Sequence, residues 1–228
     1  MRRAVVLLSG GLDSAVTLAV ARSAGFEVHA LSVDYGQRHA RELDSARRVA
    51  AQLGAADHRT VSLDLRAVGG SALTAPTGVP KDRSVADMGS SIPATYVPAR
   101  NTILLGIALG YAETLGAFDL YFGANALDYA GYPDCRPEFL HAFEALANVA
   151  TKASVETLTR FRVHAPLVQL TKAQIVREGV RLGVDLGLTW SCYDPTPAGP
   201  PCGRCDACVL RKAGFTEANV PDPGAAGA

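Results

Sequence analysis

Short apolar runs alternate with helix-patterned stretches from the first residues of this chain onward, and that alternation restricts it to an α/β fold. Ala4-Val5-Val6-Leu7-Leu8 reads as a first strand, followed by a helix over 13–24 whose apolar positions are Ala15, Val16, Leu18, Ala19 and Ala21. Residues 26–33 form a second strand ended by Asp34-Tyr35-Gly36, 38–53 a helix stopped at Gly54, and 58–63 a third strand. Further on, the pattern predicts a helix over 102–116, a strand over 117–123, a helix over 136–152, a strand over 163–168 and a helix over 171–182 capped by Thr171. Right-handed crossovers between such strands give a doubly wound parallel sheet of about five strands, with ligands bound beyond the carboxyl ends. The expected organisation is an α/β domain over 1–185, a small C-terminal appendage over 186–214 and a disordered tail over 215–228.

The junction between the first strand and the first helix carries the most chemistry. Ser9-Gly10-Gly11-Leu12-Asp13-Ser14 follows Leu8 directly, so the free N–H groups and dipole of the helix start face whatever sits in the loop. Paired glycines let the backbone approach a phosphate, and Ser9 and Ser14 add hydroxyl donors. Asp13 can hold a magnesium ion against bound phosphates. No lysine follows Gly11, so this is not the phosphate loop that ends in Gly-Lys-Ser/Thr, and terminal phosphoryl transfer is disfavoured. The nucleotide contacts are assigned to Leu8 through Ser14, with Asp34 and Tyr35 at the end of the second strand on the same rim of the sheet.

Charge and length narrow the function classes. The chain has 22 basic and 22 acidic residues, a balance that argues against a broad nucleic-acid footprint. No apolar stretch approaches a membrane span or the core of a secretion signal, so a cytoplasmic location is expected. Residues 69–95 are rich in Gly, Pro and Ser without periodicity, which reads as a lid or mobile substrate loop.

Cys192, Cys202, Cys205 and Cys208 are spaced Cys-x9-Cys-x2-Cys-x2-Cys. Two successive Cys-x2-Cys steps wrap three thiolates around one ion and Cys192 closes a tetrahedron, the pattern of structural zinc. Arg204, Arg211 and Lys212 are close enough in sequence to offset the negative charge. An iron–sulfur cluster has related spacings, and a redox dithiol needs only one Cys-x2-Cys pair. Cys135 stands apart in a turn-rich polar stretch, Gly131 to Arg136, where a buried hydrophobe and a chemical role are both open.

The Ser-Gly-Gly-x-Asp-Ser loop resembles the signature of the ATP pyrophosphatase superfamily. That resemblance implies that the loop grips the pyrophosphate end of ATP and exposes the α-phosphate to a substrate oxygen. Tyr35-Gly36-Gln37-Arg38-His39, Val97-Pro98-Ala99-Arg100-Asn101, Gly123-Ala124-Asn125, the stretch Asp128 to Arg136, and Thr189-Trp190-Ser191-Cys192-Tyr193 follow in order. Together with the loop and the cysteines they resemble the 7-cyano-7-deazaguanine synthase family over almost the whole chain. The resemblance implies an adenine-nucleotide hydrolase-like fold, 7-carboxy-7-deazaguanine, ammonia and ATP as substrates, magnesium, structural zinc and a homodimer. It also implies Asp13, Ser14 and Arg100 as catalytic groups, Arg100 at the α-phosphate or substrate carboxylate, against a salt-bridging helix start as its alternative. Asp128, Asp134 and Arg136 are candidates for reading the deazaguanine edge, with turn capping as the competing role. His39 and His141 read as polar helix residues. Two other activities fit parts of the pattern: a tRNA thiolase of the same superfamily, and a nucleotide-binding zinc protein without chemistry.

Overall fold

The computed structural model describes residues 1–225 apart from 38–40, 76–77, 85–87, 89–91, 127–130 and 198. Its sheet is built from β1 (Arg3–Leu7), β2 (Glu27–Asp34), β3 (Asp57–Ser62), β4 (Asp119–Tyr121) and β5 (Arg162–His164). The strands lie in the order β3-β2-β1-β4-β5 and every pairing is parallel. The main described helices are α1 (Leu12–Ser23), α2 (Arg41–Gln52), α3 (Arg100–Leu115), α4 (Pro137–Ala150), α5 (Lys152–Thr157), α6 (Lys172–Arg181) and α7 (Asp206–Ala218). None of them is long and apolar enough to cross a membrane.

β1 is central, and its side chains alternate between two cores as the period of two requires. Ala4, Val6 and Leu8 point into a core completed by α1, α2, α6 and α7. Val5 and Leu7 point into the opposite core, against α3 and α4. The strand order reverses between β1 and β4, so a crevice opens beyond their carboxyl ends, where open α/β sheets bind ligands.

Two glycines make that crevice possible. Gly10 has φ +87°, and a Cβ there would lie 2.2 Å from the Glu42 carbonyl oxygen and 2.7 Å from the Ala46 nitrogen. Gly123 crosses the start of α1 so closely that a Cβ would lie 3.1 Å from Thr17 Oγ1 and 3.2 Å from the Ser14 nitrogen. Gly10→Ala therefore combines left-handed strain with a backbone clash, and is expected to lower stability by about 3 kcal/mol or more. A drop of several degrees in Tm checks this; an unchanged Tm would mean that α2 moves aside at little cost.

Three expectations are corrected. The fifth strand ends at His164 rather than at 168, because Pro166 offers no N–H to the ladder and the Val168 N–H turns back to the Ala165 carbonyl. The fourth strand is trimmed at both ends, since Ala117 N–H still bonds to Ala112 at the exit of α3. Nor is the chain loose from residue 215: α7 continues through Ala218, and Phe215 is fully buried in the first core. Beyond it, Asp222 accepts from Nε and Nη2 of Arg211, each at 2.8 Å, holding the following segment down.

Candidate active site

The loop after β1 is tightly self-bonded. Ser14 Oγ lies 3.0 Å from Ser9 Oγ and donates to the Gly11 carbonyl at 3.1 Å, while Ser9 N–H donates to Ser14 Oγ at 3.2 Å. Gly11 is the N-cap of α1 and no side chain caps that helix, so its first turn opens toward the crevice. Local sequence explains this part completely.

Long-range packing supplies the rest. Lys172, the first residue of α6, bonds both carboxylate oxygens of Asp13, at 3.0 and 2.8 Å, from 159 residues away. Asn125 Nδ2, after β4, donates to Asp13 Oδ2 at 3.0 Å. A lysine missing from the loop itself is thus supplied by another helix. Nothing local marks Lys172 beyond its place after the Thr171 cap, whereas Asn125 lies in a segment that the sequence had singled out.

Above the loop is a cavity of about 260 Å³. Leu8, Ser9, Gly11, Leu12, Asp13 and Ser14 line its floor, and Gly10 is turned under α2 instead. Tyr35 and Arg100 face it, with the Arg100 guanidinium carbon 5.8 Å from the Tyr35 ring centre. Burial pushes the Tyr35 phenol above its usual range, so it stays neutral. Asp34 is not on the wall; its Oδ1 accepts from the Gly36 N–H at 3.2 Å and closes the turn after β2. Among the described residues only Asp13 and Glu42 bring carboxylates to this cavity.

Two of the residues expected to read the substrate edge, Asp134 and Arg136, are not in the cavity lining. Asp134 is buried and its Oδ2 accepts from the Asn101 N–H at 2.9 Å, which makes it a cap for the first turn of α3. Arg136 is exposed at the start of α4, away from the cavity lining. Asp128 and His39 lie outside the described residues, and His141 is exposed on α4. Cys135 does reach the cavity wall, with its sulfur accepting from Asn101 Nδ2 at 3.2 Å.

The four C-terminal cysteines converge: their sulfur atoms all lie within 4.8 Å of one another. Thiolates about 2.3 Å from a tetrahedral zinc sit about 3.8 Å apart, so small side-chain shifts complete the coordination. Backbone N–H groups of Cys202 and Cys205 donate to the sulfurs of Cys192 and Cys202, at 3.2 and 3.3 Å. Hydrogen bonds from Cys192 and Cys208 hold the Cys205 thiol well below its usual range, while the same crowding pushes Cys208 up. Four sulfurs this close ionise together only around a cation, and the set fits zinc.

This knuckle is wired in two directions. Trp190 N–H donates to the Gly10 carbonyl at 2.9 Å and its indole N–H to the Cys192 carbonyl at 2.9 Å, linking phosphate loop to cysteine cluster. On the other side, Lys81, Asp82 and Arg83 of the long 69–95 segment pair with Asp194, Arg204 and Asp206, Lys81 at 2.9 Å and Arg83 at 2.8 Å. Asp82 N–H also donates to the Arg204 carbonyl at 2.9 Å. This part of the segment read as a free lid is therefore zipped to the knuckle. Arg204 still feels Cys202, but Arg211 is turned away to Asp222, Thr189 and the Leu186 carbonyl.

Among solved structures, NMN synthetase from Francisella tularensis superposes with a TM-score of 0.52 at 17% identity, over 96% of this chain and 78% of that one. A predicted subunit of a tRNA methyltransferase from Methanocaldococcus jannaschii gives a TM-score of 0.51 at 15% identity, over 98% and 91%. At those identities the likeness concerns the fold alone. Curated relatives are far more similar in sequence. The 7-cyano-7-deazaguanine synthase of Myxococcus xanthus is 64% identical over 223 residues, 98% of this chain and 96% of the relative. That of Geobacter sulfurreducens is 62% identical over 222 residues, 97% and 92%. The sequence profile of the family described as queuosine biosynthesis protein QueC matches residues 3–219, and the chain belongs to that family.

Proposed function

We propose that the protein converts 7-carboxy-7-deazaguanine and ammonia to 7-cyano-7-deazaguanine at the expense of ATP. One observation supports this most: the helix-start phosphate loop and the Arg100 guanidinium line one cavity, so an α-phosphate and a carboxylate can meet there. A carboxylate oxygen must first become a leaving group. Its attack on the α-phosphate of ATP expels pyrophosphate and gives an acyl adenylate. Ammonia displaces AMP to leave the amide. The amide oxygen then attacks a second ATP, and loss of AMP yields the nitrile.

In this scheme Ser9, Gly11, Ser14 and the first turn of α1 hold the pyrophosphate, and Arg100 offsets charge at the α-phosphate or the carboxylate. Lys172 neutralises phosphate charge, and Asp13 is the carboxylate that would hold magnesium, which when bound screens the phosphates. Cys192, Cys202, Cys205 and Cys208 would hold zinc as a structural ion. We further propose a cytoplasmic homodimer that acts on a small molecule without binding nucleic acid directly. The neutral charge supports the last point. Exposed Leu146 and Val149 on α4, with Val155 and Leu158 at α5, offer an apolar face for a second copy.

Mass spectrometry after incubation with ATP, magnesium, ammonium and the carboxylate substrate tests the reaction. Nitrile together with AMP is expected. AMP without nitrile would reject the substrate and favour a thiolase; zinc-loaded protein giving neither would favour a non-catalytic nucleotide binder.

A further inference from the structure

The synthase chemistry leaves one requirement without a residue. Ammonium brings four N–H bonds, and the nitrile nitrogen keeps none. One proton leaves to make ammonia, a second as the amide forms, a third on activation of the amide oxygen and a fourth as AMP departs. Each departure needs an acceptor beside the reacting carbon, able to reload between steps.

Among the described residues two acids reach the cavity, and Asp13 is taken by Lys172 and Asn125. Glu42 differs. It lies in the first turn of α2, with its backbone carbonyl packed under Gly10 of the phosphate loop, and its half-buried side chain is on the cavity wall. No hydrogen bond or ion pair engages its carboxylate among the described residues. Among the described residues, the groups that face it are Arg100 at the start of α3 and Tyr35 after β2. Other titratable groups on the same wall are Asp13, Lys172, Tyr132, Cys135, Tyr193 and Arg211.

We propose that Glu42 is the proton acceptor for the nitrogen substrate, taking a proton from ammonium and again at each later loss of an N–H. In each transfer an N–H bond breaks, an O–H bond forms on Glu42, and the proton then leaves to water through the cavity mouth. The assignment rests on the synthase activity proposed above. Burial pushes the Glu42 carboxyl up to about 7, with Arg100 pulling part of the way back, so the group exchanges its proton near neutral pH.

Glu42→Gln keeps the shape and removes the base. ATP–pyrophosphate exchange with the carboxylate substrate, without ammonium, reports activation alone, and is expected to stay within about threefold of wild type. Ammonium-dependent amide and nitrile should fall about 100-fold at neutral pH. That deficit should shrink toward about pH 9, where free ammonia is abundant. Hydroxylamine, already neutral at pH 7, skips the first proton loss but not the one on acyl transfer, so hydroxamate should fall clearly less than the amide does. Equal loss of exchange would overturn the proposal by placing Glu42 in nucleotide or acid binding, and so would undiminished turnover with ammonium.

Stability gives a second readout. The folded state holds the Glu42 proton to a higher pH than the unfolded chain does, so its burial penalty is absent below about pH 4.5 and complete above about pH 7. Glu42→Gln should therefore melt above wild type at about pH 8 and much closer to it at about pH 5. Coincident melting at both would overturn the proposal, since the acid would not then titrate as a buried group. Wild-type protein lacking pyrophosphate exchange would overturn the synthase activity itself, and the role of Glu42 with it.

Discussion

Asp13→Ala is expected to abolish substrate-dependent AMP formation, by about a thousandfold or more, while leaving zinc content intact. The carboxylate is held in place by Lys172 and Asn125, in a pair whose side chains are 16% and 21% exposed for lysine and aspartate. Removing it leaves a half-buried ammonium without its counter-charge. That should cost about 1–3 kcal/mol of stability, too little to explain the loss of activity. Asp13→Asn preserves the shape and should lose activity nearly as fully. Lys172→Met should also be severely impaired, and the double variant should be no worse than the poorer single one if the two residues act as a unit. AMP release by quenched-flow chromatography, with metal analysis on the same samples, makes the comparison. Normal turnover in Asp13→Ala would remove the loop from the chemistry.

Loss of the cysteine cluster is the second large effect. Cys205→Ser, or chelation of the wild type, should release about one zinc per chain and dismantle a wall of the cavity rather than a remote ornament. Trp190, Ser191, Tyr193, Ala207 and Arg211 all line the cavity from this segment. Structural zinc in small modules contributes about 10 kcal/mol or more of apparent folding energy, so the segment has little reason to stay packed without it. Hydrogen exchange should show loss of protection over 186–211 and over 81–83, with β1, β2 and α1 still protected. ATP affinity should fall by at least about tenfold. Uniform protection and unchanged ATP binding in zinc-free protein would show that the knuckle does not shape the cavity, and a brown iron chromophore would replace zinc as the ion.

Local features were legible in the sequence and long-range ones were not. β1 is a nearly continuous apolar run because both its faces are buried, β2 keeps enough Val, Ala and Leu to show as a strand despite its buried His29 and Ser32, and the phosphate loop is a contiguous string whose geometry follows from its glycines. The four cysteines declare themselves by spacing. Lys172 and Glu42 carry no such mark: each is an ordinary helix-start residue until the sheet brings it to the crevice. Asp134 misled in the other direction, because a polar residue in a turn looks the same whether it faces a ligand or caps a neighbouring helix. The end of the chain looked loose from its Pro, Gly and Ala content, yet a buried Arg211 needs a counter-ion and Asp222 supplies it.

The bond from Trp190 to Gly10 also has a meaning in time. Gly10 leaves the ribosome early and Trp190 late, at synthesis rates of about 5–20 residues per second. Strand, loop and first helix are local and form early, but Lys172, Trp190 and the cysteines follow only after most of the chain has emerged. A nascent chain therefore carries its phosphate loop for many seconds before it can close a nucleotide site around it, and the part made first is the last to become functional.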